Sequence, residues 1–278
     1  MRNIKKQPED THIPSKKVIS DVDIIKYSHG WERVRSQVVT EDSLTIYLNG
    51  KQIVTLMCTS NSKEFLAIGF LVVERLIEPD KAEEIQIMEF QDEAIYIEAP
   101  YSKKAPSGDQ KTITPGLGKG ITFSQGDKRL ESIKISSSIK ISPPKVFHLM
   151  KELTERSTLY KMTHGVHNAG ICTPDELEIF QYDLGRHNAV DKLYGQCLLE
   201  KIPLSERIII ASGRVSSEIL TKVGLMGVPI LISRSSPTDK SIQLADRIGL
   251  TLIAGVRGDK MSVYTHPERV LGLCQKDL

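Results

Sequence analysis

The sequence predicts an α/β protein in which a three-layer, helix-sheet-helix domain follows a smaller α+β domain. The carboxyl half repeats a strand, turn and helix pattern, with strands over residues 177–184, 207–211, 229–233 and 250–254 and helices over 188–200, 216–226 and 237–248. Two of those strands contain uninterrupted apolar runs, Ile208-Ile209-Ile210 and Ile230-Leu231-Ile232, which mark strands buried on both faces. Between the halves, residues 100–110 shift to Ser, Lys, Pro and Gly, a composition that forms no packed element.

At 278 residues, of which 40% are hydrophobic, the chain can bury a sizeable core in one or two domains. Its 37 basic and 35 acidic residues nearly cancel, so no overall field steers it onto nucleic acid and any anion site must be local. The longest apolar run, residues 65–73, is broken by Gly69 and is far too short to span a membrane. The amino end (Met1, Arg2, Lys5, Lys6, Glu9, Asp10) lacks a secretory apolar segment, so a cytoplasmic protein without a membrane partner is expected. Cys58, Cys172, Cys197 and Cys274 form neither a CxxC pair nor a zinc-spaced cluster; buried, reduced thiols and no zinc are the expectation.

Taken in order, residues 1–17 are polar and aperiodic and read as a mobile tail. Residues 18–98 read as the small α+β domain. Alternating residues over 31–39, 44–48 and 53–57 predict strands, and Asn49-Gly50 suits the positive φ angles of a type I′ hairpin. Helical spacing over 64–77 follows, with Ser62 as its N-cap, then strands over 84–90 and 93–98. Residues 99–127 read as a glycine-rich flexible linker; its lysine-bearing stretch 112–120 lacks Walker spacing and is weak as a phosphate loop. The α/β domain occupies 128–278 and opens with a helix after Ser142, whose prolines 143 and 144 fit the first turn.

The four strand ends carry Gly185-Arg186-His187-Asn188, Ser212-Gly213-Arg214-Val215-Ser216-Ser217, Ser233-Arg234-Ser235-Ser236-Pro237-Thr238 and Gly255-Val256-Arg257-Gly258-Asp259-Lys260. If all four strands are parallel, these turns share one edge and assemble four arginines, several hydroxyls and helix N-termini, equipment for a phosphorylated ligand. The guanidinium fork binds phosphate at two points, which an ammonium does not. Each turn also has an ordinary reading: Asn188, Ser216 and Ser236 as helix caps, Gly213 and Gly255 as turn glycines, single arginines as solvated charges. His187 is a candidate acid or base, Asp191 one helical turn on is placed to orient it, and Lys192 reads as a solvated charge. His164 and His167, near a strand end, read as satisfied histidines rather than metal ligands.

The motifs GRHNAVDK (185–192), SGRVSSE (212–218), SRSSPT (233–238) and VYTHPER (263–269), with VTLMCT (54–59) and AIGFLVVERLI (67–77), closely resemble the formate dehydrogenase accessory sulfurtransferase family, FdhD/NarQ. The resemblance spans about residues 18–273. It implies a cytidine-deaminase-like α/β domain, a smaller α+β domain and a homodimer. It also implies sulfur accepted as a persulfide from a cysteine desulfurase and passed to the bis-guanylyl molybdenum pterin cofactor of formate dehydrogenase, with GDP as a partial analogue. The family's cofactor-binding loop matches Gly255 to Lys260, which leaves Arg257 for a phosphate.

The family's reactive CxxC falls, by loop matching, at Leu117 and Gly120. Leucine forms no thiolate, and the thiolate is the species that attacks and carries sulfane sulfur. Either cofactor binding persists without a relay, or another thiol, Cys58 or Cys172, has taken over, or the position reflects a substitution. A cofactor-binding chaperone that moves no sulfur is therefore the alternative function. Deamination, suggested by fold analogy alone, lacks the His/Cys, Glu and Pro-Cys-x-x-Cys pattern of zinc deaminases.

Overall fold

The computed structural model describes residues 18–91, 93–100, 102, 111–113 and 132–273. The part of the glycine-rich 112–120 stretch beyond residue 113, with Leu117 and Gly120, and Cys274 lie outside the described residues. The first strands, β1 (Ile19–Tyr27) and β2 (Trp31–Val39), pair along their whole length as a separate two-stranded sheet. Its base packs Val18, Ile19 and Val39 against Leu159, Tyr160, Val166 and Tyr182. The apolar base of this hairpin is thus covered by residues of the carboxyl half, not by the small sheet.

β3 (Asp42–Leu48) and β4 (Lys51–Cys58) form the hairpin foreseen at Asn49-Gly50, where φ is 49° and 74°. Helix α1 (Lys63–Val73) begins after Ser62, which takes the cap position with a left-handed φ of 52° and makes no side-chain capping bond. Lys63, buried, bonds Asp42 and the Ser43 carbonyl instead. The helix stops earlier than its apolar periodicity suggests because Arg75 turns left-handed at φ 57°, while Leu76 and Ile77 continue into the core as non-helical chain. β5 (Gln86–Gln91), β6 (Ala94–Glu98) and β7 (Lys111–Ile113) complete a five-stranded sheet in the order β5-β6-β3-β4-β7. β7, within the segment expected to be a linker, pairs parallel with β4.

In the carboxyl half, α2 (Pro143–Arg156) and α3 (Thr158–Thr163) precede β8 (His167–Cys172) and β9 (Leu177–Asp183). α4 (Arg186–Leu199), β10 (Ile208–Ala211), α5 (Ser217–Met226), β11 (Ile230–Ser233), α6 (Asp239–Ile248), β12 (Thr251–Arg257) and β13 (Lys260–Thr265) follow. Their sheet runs β13-β12-β11-β10-β8-β9. β10, β11 and β12 are parallel neighbours, whereas β8 lies antiparallel between β10 and β9. Two reversals restore direction, so β9 points the same way as β10, β11 and β12. The four turns do share one edge, and the antiparallel β8 starts at that same edge.

The apolar runs are explained by cover on both faces. Ile209, Leu231 and Leu252 face the core shared with α1, α4, α5 and α6. Ile208, Ile210, Ile230, Ile232 and Ile253 face Val146, Leu149, Met150 and Leu153 of α2. The small sheet is joined to this body through α1, which packs directly on α4.

Candidate anion-binding site

At the carboxyl edge, on the α2 side of the sheet, lies a cavity of about 610 Å³. Two of the foreseen arginines, Arg234 and Arg257, line it with Ser235. The wall also contains Ser212, His164, His167, Tyr160 and the apolar Leu153 and Leu184. Arg234 is held at its backbone, where its N–H donates to the Ala211 carbonyl, and Ser235 N–H donates to Ser233 Oγ. Arg257 ends β12, which turns directly into β13 through Gly258 (φ 59°) and Asp259. This last turn is therefore a hairpin and not a strand-to-helix turn. Asp259 and Lys260 sit exposed on it, and Gly255 adopts φ 69° at the bulge before Arg257.

Arg186 and Arg214 stand beside each other at the neighbouring turns. Burial and the nearby Arg214 lower the pKa of the Arg186 guanidinium, and its Nε is buried without a hydrogen-bond partner. Its stem crosses Gly213, where a Cβ would lie 2.9 Å from Arg186 Cβ and 3.4 Å from His167 Nδ1. Gly213 is thus required by packing rather than by ligand approach. Glu218 is the nearby carboxylate whose charge partly offsets the effect of burial and of Arg214 on Arg186. Guanidiniums gathered at a walled cavity and its adjoining turns, one with an orphaned N–H, suit a phosphate-bearing ligand.

His187 is mostly buried, and its Nε2 lies 3.5 Å from Glu218 Oε2 without hydrogen-bond geometry. Burial, then Lys222, Arg186 and His167, push its pKa down to about 2, so the ring is neutral. The expected orienting role of Asp191 is replaced by another: its carboxylate bonds Lys222 Nζ at 2.6 Å. Burial nevertheless raises Asp191 to about 6, against the opposing pull of Lys222. An acid/base pair of His187 and Asp191 is not assembled, because Asp191 points into the α5 interface. Lys192, read above as solvated, is fully buried and bonds Asp183 at 2.7 Å.

Three further residues of the expected ligand set are occupied structurally. Asn188 Nδ2 donates to the Met57 carbonyl and to Asp183. Ser216 Oγ caps α5 by accepting from Ile219 N–H. Val256 is buried in the α2-side core. Ser236 is exposed, and its carbonyl accepts from Val215 N–H. His164 and His167, read above as satisfied histidines, stand in the wall beside Ser212. Only the antiparallel β8, invisible in a strand-by-strand reading, carries His167 to this edge.

The substitute thiols fail on access. Cys58 and Cys172 are fully buried; burial pushes Cys58 up to about 12 and Cys172 still higher. Cys197 is buried too and is likewise pushed to about 12. None of the three forms a thiolate at neutral pH. Among the described residues, no group of three or more His, Cys, Asp or Glu is arranged to hold a metal. No helix among them is long and apolar enough to cross a membrane.

The architecture and site define a mixed α/β protein with an arginine-rimmed cavity at a sheet edge, and known proteins share its fold. The chain belongs to the FdhD/NarQ family, whose model matches residues 39–271. It is 40% identical over 262 residues to the sulfur carrier protein FdhD of Bacillus subtilis (strain 168), covering 91% of this chain and 98% of that protein. It is 34% identical to the sulfur carrier protein FdhD of Listeria innocua, covering 91% and 99%. Its fold is similar to the crystal structure of a candidate formate dehydrogenase accessory protein from Desulfotalea psychrophila, with a TM-score of 0.73, 27% identity and coverage of 91% and 99%.

Proposed function

We propose that this chain is an accessory protein for formate dehydrogenase maturation whose arginine rim takes the phosphates of the bis-guanylyl molybdenum pterin cofactor, its client. The observation that carries the reading is the cavity walled by Arg234 and Arg257, with Arg186 and Arg214 at adjoining turns. A pyrophosphate spreads its charge over several oxygens and matches more than one guanidinium fork. The names of the relatives support sulfur carriage; in this reading a cysteine desulfurase is the donor, the cofactor is the acceptor, formate dehydrogenase is the enzyme served, a homodimer is the working form and the cytoplasm is the setting. The cytidine-deaminase-like description of the α/β domain belongs to the same reading.

A second reading is favoured by specific residues. With Leu117 and Gly120 at the family's CxxC positions and Cys58, Cys172 and Cys197 buried, the chain binds cofactor as a chaperone and moves no sulfur. Calorimetric titration with GDP tests the shared part. Saturable binding is expected, with Arg234→Ala or Arg257→Ala each weakening it by about 10-fold, the scale of one charged hydrogen bond. Failure to bind at low salt overturns the site. Mapping of persulfides by mass spectrometry, after incubation with a cysteine desulfurase and cysteine, separates the two readings. Sulfur on a native cysteine supports the carrier; sulfur only on a Leu117→Cys variant supports the chaperone.

A further inference from the structure

Asp183 and Lys192 are wholly buried, yet neither lines the cavity. A buried ion pair contributes little net stability against its desolvation, so what the pair holds in place matters more than its own energy. Asp183 Oδ1 accepts from Gly185 N–H at 3.0 Å and from Asn188 Nδ2 at 2.9 Å. Those two donors flank Arg186 and His187. Asp183 Oδ2 accepts from Thr59 N–H at 3.1 Å. Lys192 Nζ donates to Thr59 Oγ1 at 2.8 Å and to Asn61 Oδ1 at 3.2 Å. The Thr59 hydroxyl then has one proton to give, to Asn61 Oδ1 at 2.6 Å or to Asp183 at 3.2 Å. Asn188 closes the circuit on the Met57 carbonyl at 2.8 Å.

Met57, Thr59 and Asn61 belong to the passage from β4 to α1 in the small domain. The turn that bears Arg186 is therefore clamped from both sides, by Asp183 beneath and by the small domain through Thr59. Further out, the Arg186 stem is confined by its close contact with Gly213. We propose that Asp183, Lys192 and Thr59 form a positioning relay, through which the small domain sets the stance of Arg186 and thereby the anion affinity of a rim that it does not touch. The inference rests on the reading of the rim as an anion site. Buried polar groups that are fully paired hold a geometry tightly, and loss of one partner frees the others to shift.

The test compares the full chain with Thr59→Val, which keeps shape and the backbone N–H but removes the hydroxyl, and with Thr59→Ser, which keeps the hydroxyl. Each is made in the parent and in an Arg186→Ala background, and pyrophosphate affinity and Tm are measured. Thr59→Val is expected to weaken pyrophosphate binding about 5-fold in the parent, within the usual range of coupling between residues of one network. Thr59→Ser restores it, and Thr59→Val changes nothing further once Arg186 is alanine. An equal loss in both backgrounds, or a lowered Tm with unchanged affinity, overturns the relay. If Thr59→Val does not fold, Asn61→Ala, which removes one acceptor of Lys192, is expected to act in the same direction and is judged by the same cycle. Absence of pyrophosphate binding by the parent overturns the rim reading and the relay together; binding by the parent with an indifferent Thr59→Val overturns the relay alone.

Discussion

Gly69 of α1 and Gly195 of α4 lie back to back where the small domain meets the α/β body. A Cβ on Gly195 would stand 1.9 Å from the Phe65 carbonyl oxygen and 2.9 Å from Gly69 N, and a Cβ on Gly69 would stand 1.9 Å from the Asp191 carbonyl oxygen. The two helix backbones are in contact, which brings α1 close enough for the Thr59 segment to reach Asp183.

The obstructing atoms at this crossing are backbone and have no rotamer by which to yield. Gly195→Ala is accordingly expected to destabilise the protein by about 3 kcal/mol, the upper end of the usual cost of overpacking. Urea unfolding monitored by circular dichroism measures it. A loss below about 1 kcal/mol would show that the helices can separate at small cost.

His187 gives the pH dependence a definite sign. The unfolded chain takes a proton at this residue near 6.5, while the folded chain holds it neutral down to about 2. Throughout that window the unfolded state binds more protons, so this residue's contribution falls on acidification by about 1.4 kcal/mol per pH unit well below the upper limit. Asp191 acts oppositely: raised from 3.8 to about 6, it takes its proton first in the folded state and adds stability as pH drops through that range. The difference between the parent and His187→Gln isolates the histidine. The variant should gain on the parent steadily from pH 6 to pH 4.5; parallel stability curves would contradict a buried neutral ring.

Thiol reactivity follows from burial. In a Cys274→Ser background, the remaining Cys58, Cys172 and Cys197 are expected to resist a disulfide reagent at pH 7.5 in the native state and to react together on unfolding. Rapid native labelling of Cys58 or Cys172 would return that residue to candidacy as a sulfur carrier.

Local pattern in the sequence carried much of this molecule. The Asn49-Gly50 hairpin, the strands buried on both faces and the helices after them follow from turn chemistry and periodicity, which act between residues a few positions apart. The gathering of four arginine turns at one edge was also legible, although it came about through the antiparallel β8 rather than an unbroken parallel ladder. His167 reaches the cavity by the same insertion, and strand order is a long-range property that no short window contains.

The sequence by itself determined where the arginines, glycines and apolar runs stand along the chain, and hence the order of elements and the edge on which charge collects. The tertiary structure decided which polar residues remain available there. Lys192, Asp191 and Asn188 share the helix that begins at Arg186, and periodicity makes Lys192 look as solvated as Arg186 looks. Their fates differ because Thr59 and Met57, more than 120 positions away, and Lys222, 31 away, supply the partners that make burial tolerable. A charged side chain is removed from water only where the folded chain offers compensating bonds. Arg234 and Arg257 instead line the cavity at the sheet edge, with Arg186 and Arg214 at the neighbouring turns.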